Sequence, residues 1–447
     1  MHFYSTKNKS DPASFATAAL TGLAPDGGLY IPQTLPVYPD AVRSSLGTMN
    51  FCDLAFETIR LFVHDDIPDP VLEDIVQTAY PFRSTLVAAG DRLILELFHG
   101  PTAAFKDFGA RFMARSFAYL RRSEDKPLHI LVATSGDTGG AVADGFFGVE
   151  GISVTVLYPH GRVSPLQERQ ISGLGGNIRA LAVEGSFDDC QRLVKTAFAD
   201  ASLKKRLSLS SANSINISRL IPQTIYYSFA AGKICAGNID EDIAETPRKA
   251  GFSAGYKGKS VAQPVICVPC GNFGNLTAGL YAYKMGAPIA GFIAATNSNR
   301  TVPDYLANGV YKIRLSRTTL SNAMDVGAPS NFERMKAHFS LKQMRAMMSG
   351  VSISDEQTRA AIAGVYEKEG YFLDPHTAVA WKASDEAIQE GGAPVVVLST
   401  AHPAKFTEIV KPLTGPIPIP QSISAALARK PSADKIPADF SALLEKL

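Results

Sequence analysis

Lys106 stands between Phe105 and Phe108 at the front of an amphipathic stretch, directly after the run Glu96-Leu97-Phe98-His99-Gly100-Pro101-Thr102-Ala103-Ala104. A lysine held against aromatic and apolar groups loses favour for its charged form, which lowers its pKa and frees the neutral amine as a Schiff-base nucleophile. Most lysines are solvated surface charges, and local context alone does not separate the two cases. Three more loops share the pattern of a strand end, small and polar residues, then a helix start. Thr134-Ser135-Gly136-Asp137-Thr138-Gly139-Gly140 puts hydroxyls and unpaired helix amides where a carboxylate or phosphate can sit. An ordinary N-cap explains one of these residues, not Thr, Ser, Asp and Thr together among glycines. In Pro269-Cys270-Gly271-Asn272-Phe273-Gly274-Asn275, Gly271 and Gly274 let the backbone curl into a nest of N–H groups around phosphate oxygens, although neither a Walker loop nor G-x-G-x-x-G is present. Ser399-Thr400-Ala401-His402 brings hydroxyls and an imidazole to a fourth strand end. Ser399 and His402 can be read toward a hydrolase, but no G-x-S-x-G elbow accompanies them. Jointly the loops offer a lysine for a Schiff base, a nest for a phosphate monoester, a neutral hydroxyl for a pyridine nitrogen and a cradle for an amino-acid carboxylate. Pyridoxal phosphate needs that set.

The elements that must position these loops follow from periodicity. Helical spacing runs over 51–63 and 70–80, after a Gly/Pro-rich start at 22–32. Apolar runs then alternate with amphipathic stretches: strands at 93–98, 128–134, 152–158 and 178–183, helices at 107–122, 138–147, 164–173 and 186–200. Gly173-Leu174-Gly175-Gly176-Asn177 reads as a helix-to-strand turn, because it follows a helix instead of preceding one. After a helix at 218–234, the polar stretch 238–263 reads as a surface insertion. A second series follows, with strands at 264–268, 289–295 and 394–399 and helices at 275–286, 355–369, 376–390 and 403–412. Ser354 and Gln357 have capping-box spacing, and the tail from Pro412 is Pro-rich, then weakly helical. Apolar strands separated by helices imply parallel sheets covered on both faces. The fold class is therefore α/β with two open, mostly parallel sheets: an α-rich N-terminal subdomain over 1–95, a small α/β domain over 96–235 with Lys106, and a large α/β domain over 236–447 with the 271–275 loop and the tail. In such folds ligands gather where strand C-termini meet helix N-termini.

Composition excludes other classes. In 447 residues, 44 Lys+Arg against 42 Asp+Glu leave a net charge of +2, which offers no electrostatic grip on nucleic acid or an anionic membrane. With 46% hydrophobic and 19% charged residues the chain can bury large cores and is not a disordered one. No apolar run approaches a bilayer span and the first residues lack a signal-peptide pattern, so a cytoplasmic protein is expected. Five cysteines make no disulfide framework. Cys267-x-x-Cys270 lacks the second ligand pair of a zinc site and reads as two small residues closing a buried strand.

Over nearly its whole length the sequence resembles the threonine synthase family, of the longer bacterial and fungal type. The motifs that carry this are Tyr4-Ser5-Thr6-Lys7-Asn8, Ala24-Pro25-Asp26-Gly27-Gly28-Leu29-Tyr30, Phe98 to Phe108, Thr134 to Gly139, Asn213-Ser214-Ile215-Asn216, Arg219-Leu220, Pro222-Gln223, Gly271 to Asn275 and Ser399 to Phe406, in one order. The resemblance implies a fold-type II, tryptophan synthase β-like architecture with pyridoxal phosphate on Lys106. By it, Gly271, Asn272, Phe273, Gly274 and Asn275 hold the cofactor phosphate and Thr400 meets the pyridine nitrogen. Ser135, Asp137 and Thr138 receive the substrate α-carboxylate, and Asn213 and Arg219 its phosphate. The implied reaction, the last step of threonine biosynthesis, turns O-phospho-L-homoserine and water into L-threonine and phosphate, in a monomer or homodimer without metal. Two alternatives stay open: a phospho-lyase of the threonine-synthase-like group giving 2-oxobutanoate, and a non-catalytic amino-acid sensor on the same scaffold, against which Lys106 speaks.

Overall fold

The structure is a computed structural model, and it describes residues 1–123, 126–239 and 262–447. Most of the insertion expected over 238–263 lies outside the described residues. The N-terminal part pairs Phe3–Ser5 antiparallel with Tyr30–Pro32 and packs the amphipathic helices Phe51–Val63 and Asp69–Ala79 on the body of the molecule. Asn50 caps the first of these through Asp53 N, and Phe51, Leu54, Ile59 and Phe62 recur on its buried face, the spacing that makes a helix with one apolar stripe.

Two sheets carry the rest. The first has five strands in the order Asp434–Pro437, Ile178–Glu184, Ile152–Pro159, Leu128–Ala133 and Ser208–Ser210, all parallel. The second has six, in the order Met348–Ser352, Gly291–Thr296, Val265–Pro269, Val395–Ser399, Arg92–Glu96 and Thr85–Ala89. Only the last of the six is antiparallel, a hairpin turned at Gly90. The central strands are buried on both faces, which explains why they read as unbroken apolar runs and not as alternating ones, whereas the edge strands Met348–Ser352 and Asp434–Pro437 are partly exposed.

Sheet membership departs from chain order at both ends. The strand expected at 93–98 to open the first series lies instead beside Val395–Ser399 in the second sheet, in parallel register from Leu93↔Val396 to Glu96↔Ser399. The weakly helical tail yields the strand Asp434–Pro437, which returns to the first sheet along Leu181 to Glu184. Neither pairing leaves a mark on local periodicity, since period 2 tells that a segment is a strand and not which neighbour it takes. The helix expected at 376–390 breaks at Ser384 into Pro375–Ala383 and Asp385–Glu390. No helix among the described residues is long and apolar enough to cross a membrane.

The tail helix Phe440–Leu444 seals one face of the first sheet, with Leu443 and Ile436 buried against Leu131, Leu157, Leu181 and Leu193. Leu443→Ala is expected to cost about 2–5 kcal/mol, the range for a fully buried leucine. Urea unfolding followed by circular dichroism should show a clearly lower midpoint. An unmoved midpoint means the tail contributes nothing to the sheet.

Candidate active site

Parallel pairing sets the site. Arg92–Glu96, Val395–Ser399 and Val265–Pro269 are neighbours in one sheet, so the loops leaving their C-terminal ends, 97–105, 400–402 and 270–273, emerge side by side. In the other sheet Leu128–Ala133 and Ser208–Ser210 are neighbours and deliver 134–136 and 211–216. All four loops singled out in the sequence, and the Asn213 segment, meet between the two sheets. Asn272 Nδ2 donates to Ser214 Oγ at 2.7 Å, and Lys106 Nζ lies 3.6 Å from Asp137 Oδ2.

Lys106 is the first residue of the helix Lys106–Leu120, and Phe105 and the buried Phe108 flank it as expected. Its ammonium also lies 5.0 Å from the Phe105 ring centroid. The loop before it is fixed from two sides. Asp107, wholly buried, accepts from Thr102 N at 2.9 Å and from Thr102 Oγ1 at 2.5 Å. Phe105 N donates to the Thr400 carbonyl oxygen and His402 N to that of Ala103, so the fourth loop runs antiparallel to the first. Ala103 and Phe273 are the two non-glycine residues with positive φ among the described residues, at 54° and 61°. Each such conformation costs about 1–3 kcal/mol, and here one lies in the lysine loop and the other in the glycine loop.

Burial lowers the pKa of Lys106, Asp137 opposes that shift, and the positive charges of Lys405 and Arg219 reinforce it. Lys405 is fully removed from solvent, 2.9 Å from Asp137 Oδ1 and 2.6 Å from the Thr102 carbonyl oxygen to which it donates. Gln167 Nε2 donates to the same Asp137 oxygen at 3.0 Å. Gly136, with φ 141°, is needed here because a Cβ would stand 2.5 Å from the Gln167 amide. Burial alone raises the pKa of Asp137, but Lys405, Lys106 and the bonds from Gln167 and Lys405 hold its carboxyl far below the usual carboxylate range. A carboxylate so engaged repels a second one. The side chain of Asp137 does not have the polarity to meet a substrate carboxylate, whereas its amide, in the first turn of Asp137–Phe146, does. Thr134 does the local capping, accepting from the amides of Gly136 and Gly139, and leaves Ser135 and Thr138 half-buried at the loop surface.

The glycine loop opens the helix Gly274–Met285. Its asparagine side chains are already engaged, Asn275 within the loop and Asn272 with Ser214 and Ser330 outside it. Asn275 Nδ2 donates to the Pro269 carbonyl oxygen at 2.9 Å, and Asn272 Oδ1 accepts from Ser330 N at 2.5 Å. What remains for a phosphate is the backbone, with the first helix amides unpaired within the helix. Gly271 is fixed by a close approach, since a Cβ there would stand 2.5 Å from the Ala323 carbonyl oxygen. Two buried polar atoms on the facing segment have no partner among the described residues, Asn213 Oδ1 on the loop 211–216 and Arg219 Nε on the helix Ile217–Leu220 that follows. Arg219 donates to the Ala212 carbonyl oxygen at 2.5 Å, and burial brings its pKa down to about 10 against the pull of Asp107. Orphaned buried donors and acceptors are costly and point to a ligand that completes them.

The hydrolase reading of the fourth loop does not hold. Ser399 Oγ pairs with Thr377 Oγ1 at 3.0 Å, while His402 Nδ1 accepts from Ala404 N at 3.1 Å as a helix cap. Burial brings the pKa of His402 down to about 4. Cys267 and Cys270 are buried thiols whose Sγ atoms lie 3.0 Å from the Ala380 and 3.1 Å from the Val268 carbonyl oxygens. Sequence reasoning gave no role to Lys405, Gln167 or Gln170. The two glutamines stand at i and i+3 on the short helix Pro165–Ser172, a spacing visible in the sequence that puts them on one face; both are buried, and Gln170 Nε2 donates to the Thr102 carbonyl oxygen at 3.1 Å.

Comparison with known proteins places the chain. Its residues 92–401 match the family of pyridoxal-phosphate dependent enzymes, residues 2–80 the threonine synthase N terminus and residues 377–446 the threonine synthase C-terminal family. It is 40% identical to threonine synthase of Escherichia coli (strain K12) over 445 residues, covering 99% of this chain and 98% of that one. The chain belongs to the threonine synthase family. The yeast member from Saccharomyces cerevisiae is 34% identical over 474 residues, covering 91% of this chain and 88% of its own. Among solved structures, threonine synthase from E. coli superposes with a TM-score of 0.87 over 100% of this chain and 99% of that one. The pyridoxal-phosphate-bound threonine synthase from Brucella melitensis does so with 0.87 at 36% identity, over 100% and 98%. The fold expected from the sequence, two mostly parallel sheets of the fold-type II class, is the family's fold.

Proposed function

We propose that the chain converts O-phospho-L-homoserine and water to L-threonine and phosphate, with pyridoxal phosphate held by Lys106. The observation that carries this reading is Lys106 itself, a largely buried amine of lowered pKa that faces Asp137 on the second loop, with two orphaned polar atoms on the facing segment. When bound, pyridoxal phosphate supplies the electron sink that makes protons on the substrate α and β carbons acidic, so that the γ carbon–oxygen bond can break. The amides of Gly271 to Asn275 hold the cofactor phosphate, and Thr400 presents a hydroxyl to the pyridine nitrogen. Ser135, Thr138 and the first amides of Asp137–Phe146 hold the substrate α-carboxylate. Asn213 and Arg219 take its phosphate. Lys106, once freed, moves the α and β protons. All the residues named come from one chain, so the site is complete in a monomer; the reading takes the protein as cytoplasmic and as monomeric or homodimeric, and sedimentation separates the two states.

Incubation of the purified protein with O-phospho-L-homoserine tests the reading. Threonine and phosphate should appear in equal amounts. Phosphate with 2-oxobutanoate in place of threonine means a phospho-lyase, and no turnover while the substrate binds means a sensor.

Thr400 sets the electronic tuning. A hydroxyl beside the ring nitrogen leaves it mostly unprotonated, whereas a carboxylate there favours the pyridinium form. Thr400→Asp is therefore expected to add a long-wavelength absorbance during turnover and to raise 2-oxobutanoate relative to threonine. Thr400→Ser should keep the wild-type ratio. Stopped-flow spectra and product ratios check both, and an unchanged ratio in the Asp variant removes Thr400 from this role.

A further inference from the structure

The site sets two lysines against one aspartate, and the reading above uses only one of the lysines. Lys405, in the 3-10 turn Pro403–Phe406, has no exposed side-chain surface, whereas Lys106 keeps 16% of its own. The two oxygens of Asp137 face different groups. Oδ1 is held at 2.9 Å by Lys405 and at 3.0 Å by Gln167, while Oδ2 faces Lys106 at 3.6 Å, longer than a hydrogen bond. Lys405 is itself anchored, donating to the Thr102 carbonyl oxygen at 2.6 Å in the loop that leads to Lys106. A buried carboxylate facing a single lysine forms an ion pair and keeps that lysine charged. Here the compensating charge comes from the far side, so Lys106 can lose its proton without leaving an unbalanced buried anion.

We propose that Lys405 and Asp137 form a standing ion pair that positions the Lys106 amine and keeps it available in its neutral form. Asp137 Oδ2 orients the amine, and Lys405 prevents that oxygen from capturing it as a permanently charged partner. Both are positioning residues that act through Lys106, and the proposal rests on Lys106 being the reactive amine. Two other charged groups lie near Lys106. Arg219, from Ile217–Leu220, adds positive charge of the same sense as Lys405. Asp107, next along the helix, has both carboxylate oxygens turned to Thr102.

The test measures the reactivity of Lys106 against pH in the full chain freed of pyridoxal phosphate, by trace acetylation with acetic anhydride and peptide mass spectrometry. Lys405→Met removes the compensating cation, so the midpoint for Lys106 should rise by about one pH unit, a tenfold loss of neutral amine at a given pH. Asp137→Asn removes the anion and should lower the midpoint. Lys405→Arg keeps the charge and should leave the midpoint near wild type. Loss of packing alone does not shift the first two variants in opposite directions. Midpoints that stay together, or move the same way in variants with wild-type circular dichroism, overturn the proposal; if Lys405→Met does not fold, a midpoint that fails to fall in Asp137→Asn does so alone. Borohydride trapping of added pyridoxal phosphate in the wild-type chain keeps the two questions apart. Label on Lys106 with unsplit midpoints sinks the ion-pair proposal only, and label on another lysine sinks the reading of Lys106 with it.

Discussion

Lys106→Ala is expected to abolish threonine formation, a loss of at least roughly 10³-fold, while leaving the fold intact. The residue combines the covalent hold on the cofactor with proton transfer, and positioned proton transfer alone contributes about 10²–10⁴-fold. The fold should survive because the helix Lys106–Leu120 is held by other residues: Phe108, Phe112, Met113 and Phe117 in the core and Asp107 on Thr102. Burial disfavours the charged form of this amine, so its removal does not take a stabilising buried charge from the fold. Asp137 stays paired, because Lys405 and Gln167 hold its other oxygen. The measurements are threonine release from O-phospho-L-homoserine, near-ultraviolet circular dichroism and melting temperature. Wild-type turnover in the variant ends the assignment of Lys106, and a collapsed near-ultraviolet spectrum makes the residue a structural one.

The second large effect is at Gly271. From the sequence alone this glycine serves phosphate approach, so Gly271→Val ought to cost cofactor retention and little stability. The structure gives it another duty, because a Cβ at 271 would stand 2.5 Å from the Ala323 carbonyl oxygen and 3.0 Å from Met324 Cα. Backbone cannot swing aside as a side chain does, and forced overpacking costs about 1–3 kcal/mol or more. Gly271→Val is therefore expected to lower both cofactor affinity and the melting temperature of the cofactor-free chain. At Gly274 the nearest atom to a Cβ is Asn331 Nδ2 at 3.3 Å, a milder approach than at Gly271 that asks a few tenths of an ångström of a side chain held by Ser214 and Arg334. Gly274→Ala should lower pyridoxal phosphate affinity with a much smaller change in melting temperature. Fluorescence titration of the cofactor and thermal scans on both variants separate the two duties. Equal melting temperatures for Gly271→Val and wild type would falsify the close-approach argument.

Much of the site was legible in the chain because its parts are local. A strand end, a few small residues and a helix start form a contiguous signal, and the glycines and polar residues of 134–140 and 271–275 stand side by side, although what fixes Gly136 and Gly271 lies far along the chain at Gln167 and Ala323. For the same reason the helix Lys106–Leu120 and the strands Leu128–Ala133, Ile152–Pro159 and Val265–Pro269 follow from periodicity to within a residue or two. The kind of fold, the family and the chemistry of the cofactor rest on such local features, repeated in one order.

Three things were decided only in three dimensions. Strand partners were one, because hydrogen-bond edges carry no address; Arg92–Glu96 and Asp434–Pro437 each chose the sheet opposite to the one chain order indicates. The segment between Thr296 and Asp355 was another, where the helices Thr301–Asn308, Phe332–His338 and Leu341–Met347 are too short for their periodicity to stand out, and tertiary packing holds them. The last was the electrostatics of the site. Asp137 and Lys405 lie 268 positions apart along the chain and 2.9 Å apart in space. Whether a carboxylate receives an anion or neutralises two lysines depends on what faces it after the solvent has gone, and that is a property of the packed fold.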